Sequence, residues 1–266
     1  MIIEILLWAV LPSILISLYI AKKDLFPEPK AAIVSSIGLG FLIFIPHTLF
    51  FQVIGDYYWA IYDTHYYDEV FINLLESFFA AAFVEESFKF LVFLFLVSKF
   101  NAFNEPMDAI VYGVCISLGF SLMETLDWTH IMYLDYGEND ALYEAQGRAW
   151  SSNTLHAGCG IVMGYILSKA YFQKEKNFLK LLLALLIPII IHGSYNFSIS
   201  AQAPIVTLII LIICGLLVLF GWRKSRDRQK LKKMETEDKV IKFNLIHIFA
   251  SLGINFILIV LLVYNL

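Results

Sequence analysis

Apolar residues fall along this chain in long runs separated by short polar breaks, and run length is what first constrains the structure. A helix rises about 1.5 Å per residue, so crossing roughly 30 Å of hydrocarbon takes about 20 apolar residues. Windows of that length predict about eight spanning helices, at 2–20, 31–54, 70–97, 106–128, 152–172, 179–199, 203–222 and 243–265. Between them stand Phe26-Pro27-Glu28-Pro29, Asn104-Glu105-Pro106, Gln202-Ala203-Pro204 and a charge run from Arg223 to Lys242. Proline at these points interrupts helical hydrogen bonding and marks the breaks. No interval is long enough for a soluble domain. The expectation is an all-α polytopic membrane helix bundle: one integral domain over 1–266, with a basic cytoplasmic loop at 223–242. The first run carries Glu4 and has neither a basic leader nor a small-residue cleavage site, so it reads as a retained anchor.

Composition agrees with a bilayer environment. The chain is 59% hydrophobic and 16% charged with a mean hydropathy of +0.73, where soluble domains average about 45–50% and 25%. Its 19 basic and 23 acidic residues leave a net charge of −4, with no basic excess to hold nucleic acid. Cys115, Cys159 and Cys214 sit inside apolar runs without metal-finger spacing and read as small buried hydrophobes.

The distribution of positive charge predicts the topology. Lys22, Lys23 and Lys30, then Lys99, then Lys169, Lys174, Lys176 and Lys180, then nine residues between Arg223 and Lys242 occupy alternate connections, seventeen of the 19 in all. The other connections hold only Arg148, and Lys89 lies inside a run. Cytoplasmic connections carry the Lys/Arg excess, so both termini and the segments 55–69 and 129–151 are expected outside.

Ionisable groups inside apolar runs are costly, roughly 2.5–3.5 kcal/mol each at mid-bilayer, and mark function by default. The third run holds Phe83-Val84-Glu85-Glu86-Ser87-Phe88-Lys89, with Glu85 and Lys89 on one helical face and Glu86 within reach of Lys89. The fourth carries Asp108 and Tyr112 near its inner end, with Glu124 and Asp127 near its outer end. Arg148, Asn153 and His156 precede Ala157-Gly158-Cys159-Gly160, small residues that let another helix approach closely. Ile191-His192-Gly193-Ser194-Tyr195-Asn196 closes the sixth run, with His192 and Asn196 on one face. His47 and His247 lack such company and read as structural. Glu85, Glu86, Glu124, His156 and His192 all descend from the predicted outer side and can converge in an outer-leaflet cavity. Carboxylates and imidazoles in one wet pocket supply the base, acid and oxyanion donors or metal that hydrolysis requires. The same groups could also make a proton relay or ion site in a transporter or channel. No repeat relates the first four runs to the last four, and the ionisable residues concentrate in the third to sixth, which disfavours that alternative.

Glu85-Glu86-x-x-Lys89, Asp108-x-x-x-Tyr112-Gly113, Gly119-Phe120-x-x-x-Glu124, Arg148 followed by His156, and His192-x-x-x-Asn196 resemble the ordered motifs of the PrsW-type intramembrane proteases. That family is related to CAAX prenyl endopeptidases and bacteriocin-immunity proteins. The likeness covers roughly 70–200, a catalytic core of four helices, the third to the sixth. One departure is Thr125, where the family commonly has Asn. The resemblance implies an endopeptidase of a prokaryotic plasma membrane that cuts membrane-anchored proteins on the outer side, anti-sigma factors among them. It also implies Glu85 as general base, Glu86 tied to Lys89, and a two-histidine, one-carboxylate zinc site at Glu124, His156 and His192. Asn196, Asp108 and Arg148 support these groups. A metal-free variant keeps the same residues, with the histidines and Asn196 donating to the oxyanion, and a noncatalytic immunity or scaffold role would retain them too. The sequence leaves these alternatives open.

Overall fold

The computed structural model describes residues 1–63, 68–172, 178–231 and 245–265, with side chains from 54 to 67, at 231 and at 264–265 excluded. Lys174, Lys176 and the latter part of the basic run lie outside the described residues. Among the described residues all regular structure is helical: α1 (Ile2–Ala21), α2 (Lys30–Leu42), α3 (Phe44–Asp63), α4 (Glu69–Leu74), a π-helical stretch (Leu75–Phe83), α5 (Val84–Phe95), α6 (Pro106–Tyr136), α7 (Glu138–Trp150), α8 (Ser152–Phe172), α9 (Phe178–Ser200), α10 (Pro204–Phe220), α11 (Arg223–Leu231) and α12 (Leu245–Asn265).

Among the described residues six segments are long and apolar enough to cross a membrane: Ile2–Ala21, Lys30–Val53, Pro106–Tyr136, Phe178–Ser200, Pro204–Lys230 and Leu245–Val263. Two of the eight predicted runs, 70–97 and 152–172, fall outside this set. The two missing runs are helical, but they carry the polar groups. The segment at 70–97 divides into pieces of 6, 9 and 12 residues. In α8, Ser152, Asn153, His156 and three glycines dilute the apolar content. The predicted span 31–54 hinges at Ile43 between α2 and α3, just ahead of Pro46, whose missing N–H removes a helical hydrogen bond. The predicted outer loop 129–151 is also helical. The helix α6 runs on to Tyr136, about 46 Å by helical rise, and after Gly137 the chain turns into α7. Gly137 has φ +96°, a conformation that glycine adopts without a Cβ clash.

At the centre stands α6, surrounded by α1, α2, α7 and α8, with its stretch from Met107 to Leu122 buried throughout. The outer helices present apolar faces instead, as at Ile205, Leu208 and Ile209 on α10 and Phe249, Ile257 and Leu261 on α12. An inverted arrangement of this kind, polar groups enclosed and Leu/Ile outside, is stable where the surroundings are hydrocarbon.

Small residues let α6 and α8 cross closely. Gly113 on α6 faces Gly160 on α8, and a Cβ on either would run into the other's backbone carbonyl. Gly164 lies against the Ala109 carbonyl in the same seam, and Gly158 against Cys214 of α10. His156 is one turn before Gly160, so this contact brings α8 close enough for His156 to reach α6. The three cysteines are buried and unpaired, as expected.

Candidate active site

The third run is where the backbone departs from regular helix. Nine residues of π-helix immediately precede Glu85 and Glu86, and Phe78 within that stretch packs on Gly193 of α9, next to His192. The wider turn shifts the register of α5 and fixes which of the two adjacent glutamates meets the cleft.

Glu86 is fully buried. Its Oε1 lies 2.7 Å from Lys89 Nζ and 3.0 Å from His192 Nδ1, while Oε2 has no partner. Lys89, also fully buried, lies 3.4 Å from Glu85 Oε2, donates to His156 Nδ1 at 3.0 Å, and sits 4.5 Å from the centre of the Phe120 ring. With Lys89 donating to Nδ1, His156 carries its proton on Nε2 and donates it to Glu124 Oε2 at 3.0 Å. Arg148 Nη2 closes on the same Glu124 oxygen at 2.7 Å. Its Nε donates to Thr125 Oγ1 at 3.3 Å and its Nη2 to Ser152 Oγ at 3.0 Å. Thr125, the departure from the family pattern, thus holds the arginine that holds the carboxylate. The rings of His156 and His192 meet edge to face, 5.0 Å apart. With Nδ1–H of His192 directed at Glu86, its Nε2 lone pair faces Glu85 Oε2 at 3.9 Å.

Three carboxylates and two fixed cations leave one uncompensated negative charge if both histidines are neutral. A proton on Glu85 or a bound cation balances it, since an unpaired charge at this depth is expensive.

In front of this network lies a cleft of about 640 Å³ between α3, the π-helical stretch, α6 and α9. Glu85, Glu124, Arg148 and Asn196 line it, with Phe44 and Trp128 among its apolar walls. Glu85 therefore reaches the open space, while Glu86 and Lys89 stand behind it.

The structure brings together Glu85, Glu86, Lys89, Glu124, Arg148, His156 and His192, with Asn196 on the cleft wall. Asp108, expected to support them, does not join. It caps the start of α6 by accepting from the Asn104 and Glu105 amides, about 24 Å along the helix from Glu124. The expected zinc ligands also regroup. Ligand atoms of Glu85, Glu86, His156 and His192 lie within 4.8 Å of one another, whereas Glu124, whose Oε2 is shared between His156 and Arg148, stands outside the group. Two imidazoles and carboxylates are suitable zinc donors, and Glu86 Oε2 is a bare buried oxygen available to one. Tetrahedral bonds of about 2.0–2.1 Å need donors roughly 3.3 Å apart, so the group would contract and Lys89 would have to leave His156 Nδ1. The residues fit zinc on those terms.

Sequence reasoning passes over His47. It lines the cleft and packs on Phe120 at 5.5 Å and Phe51 at 4.9 Å, with Nδ1 buried and unpartnered. Its position after Pro46, with no second ionisable group nearby in sequence, holds no signal. Asn153 stands out in the sequence, but its role emerges only in the fold. Its Oδ1 accepts from Ser13 of α1 at 2.6 Å and Ser121 of α6 at 3.0 Å, locking α8 in place behind the site.

A helical membrane bundle enclosing a Glu-Glu-Lys network and two carboxylate-histidine pairs behind an open cleft defines the class, a hydrolase working within the bilayer. The comparisons with known proteins agree. Residues 28–222 match the family described as PrsW family intramembrane metalloprotease, a wider span than the 70–200 that the motifs alone mark out. Protease PrsW of Oceanobacillus iheyensis is 30% identical over 227 residues, 84% of this chain and 97% of that one. Protease PrsW of Bacillus subtilis is 34% identical over 161 residues, covering 60% and 69%, and that of Clostridioides difficile 33% over 169, covering 63% and 67%. No solved structure matches. The chain belongs to the PrsW family of intramembrane proteases, multi-pass membrane proteins of prokaryotes whose substrates are proteins in the membrane.

Proposed function

We propose that this protein cuts membrane-anchored proteins, single-span anti-sigma factors among them, at a peptide bond in or next to the outer leaflet, with Glu85 as the base that activates water. The observation that supports this reading is the division between two adjacent carboxylates: Glu85 lines the cleft while Glu86 is enclosed and tied to Lys89 and His192. Glu85 takes a proton from water, and the hydroxide attacks the scissile carbonyl carbon. The carbonyl oxygen becomes an oxyanion facing Asn196 and Arg148 on the cleft wall. Glu85 then returns the proton to the amide nitrogen as the C–N bond breaks. Glu86 and Glu124 act as positioning residues, each holding one histidine in a single tautomer. Zinc, held by His156, His192 and Glu86, would polarise the carbonyl and make water more acidic.

The outward direction rests on charge. The cleft lies at the ends of α6 and α9 and the start of the 70–97 segment, the ends that seventeen of 19 basic residues in the alternate connections assign to the outside. On this reading both termini are extracytoplasmic.

The test is purified full-length protein mixed with a single-span anti-sigma factor as substrate, with bound metal measured in parallel. Wild type should cleave and carry about one zinc per chain, and His192→Ala should lose both. Glu85→Gln should bind the substrate without cutting it. Full cleavage by a thoroughly chelated preparation free of zinc would remove the metal from the reading and leave the glutamate chemistry. Near-normal cleavage by Glu85→Gln would remove Glu85.

A further inference from the structure

Peptide hydrolysis makes no use of a second cluster of carboxyl groups, at the opposite end of α6 from the cleft. Asp24 and Glu28 come from the turn between α1 and α2, and Asp108 from the first turn of α6. Each offers a carboxylate oxygen within 4.8 Å of the other two. Glu105 joins through Gln229 of α11, whose Nε2 donates to Asp24 Oδ1 at 2.7 Å and also to Glu105. The Tyr112 hydroxyl donates to Glu28 Oε2, and Asp108 Oδ2 takes the Asn104 and Glu105 amides at 2.7 and 2.8 Å. These donors run out before the oxygens do. Asp24 Oδ2 and Asp108 Oδ1 are buried without a partner, on residues 5% and 0% exposed. None of the ion pairs among the described residues reaches any of the four carboxyls.

Left without a counter-cation, a set of enclosed carboxylates is expensive. The missing component is a compact positive charge bound by oxygen. The donor set is all carboxylate, with no nitrogen or sulfur, so it suits a hard ion and not zinc.

We propose that Asp24, Glu28 and Asp108, with Glu105 at the edge, bind a hard divalent cation, Mg²⁺ or Ca²⁺, with Asp24 Oδ2 and Asp108 Oδ1 as ligands. The ion ties the α1–α2 turn to the start of α6 and, through Gln229, to α11. Those three pieces are far apart in sequence and meet here. This site is independent of the hydrolytic reading, since no residue is shared.

The experiment uses the full-length protein in detergent, stripped with chelator, with thermal unfolding followed while Mg²⁺ or Ca²⁺ is titrated separately. A saturable rise of several degrees is expected with at least one of the two, and the ion giving it at lower concentration is the one the site prefers. Asp24→Asn and Asp108→Asn should each weaken the response tenfold or more, while the double variant Glu85→Gln/His192→Ala keeps it. Terbium luminescence sensitised by Tyr112, displaced by the preferred cation, provides a measurement on wild type that needs no variant. An unfolding temperature indifferent to both ions, a response that survives Asp24→Asn and Asp108→Asn, or one lost in the Glu85→Gln/His192→Ala variant would each overturn the proposal. So would the absence of sensitised terbium emission.

Discussion

Two glutamates side by side in sequence have opposite surroundings, and that contrast carries the residue-scale predictions. Glu85 meets the cleft, so Glu85→Gln is expected to lower cleavage by about 10²–10⁴, the range for loss of a general base, with insertion unchanged. Lys89 is enclosed between Glu86, Glu85 and His156 Nδ1. Lys89→Met leaves Glu86 charged and uncompensated, and should cost about 3–5 kcal/mol, read as a fall in unfolding midpoint in detergent. Retention of wild-type stability by that variant would mean that the network is neutral in the folded protein. Glu85, Glu86, Lys89, Glu124, His156 and His192 are legible individually because an ionisable group in an apolar run is anomalous on its own. Their pairing is not. The contact of Lys89 with His156 spans 67 positions, and the hold of Thr125 on Arg148 depends on a helix crossing that no local pattern encodes.

At the scale of elements, two features position the site. In the first, α8 meets α6 at Gly113 and Gly160, where a Cβ has no room. Gly160→Ala should push the helices apart, cost about 1–3 kcal/mol as overpacking does, and lengthen the reach from His156 to Glu124. Activity should therefore fall more steeply than stability, which parallel cleavage and unfolding measurements would show. The second is the π-helical stretch Leu75–Phe83. Deleting Ala81 inside it restores tighter winding and rotates α5 by about 100° relative to the preceding turns. A folded, inserted and inactive protein is expected. Full activity in the deletion variant would show that the register is not set there. The small residues of α8 announce a close approach in the sequence, whereas nothing in Leu75–Phe83 announces a π-helix, because winding depends on where Phe78 must land against Gly193.

For the whole molecule, direction in the membrane is the property to test. Single cysteines at Asn139, exposed on α7, and Lys224, exposed on α11, in a background lacking Cys115, Cys159 and Cys214, should separate the two sides. An impermeant thiol reagent on intact cells is expected to label the first and not the second. The reverse pattern would put the cleft on the cytoplasmic side and the cut with it. By itself the sequence determined the helical class, the bilayer environment, the charge asymmetry between connections and the identity of the ionisable residues. Each of these follows from composition or spacing within a single run, where free energies of transfer act residue by residue. Tertiary structure alone decided the rest: that the winding changes to π-helix just ahead of Glu85 and Glu86, that Glu124 is shared between Arg148 and His156 and stands apart from Glu85, Glu86 and His192, that Asp108 faces Glu28 and not the cleft, and that His47 enters the cleft wall. Those outcomes depend on which helices come within a few ångströms of each other. Close-packed side chains set those distances through shape and through hydrogen bonds between residues far apart in the chain, and neither is written in the hydropathy of any one segment.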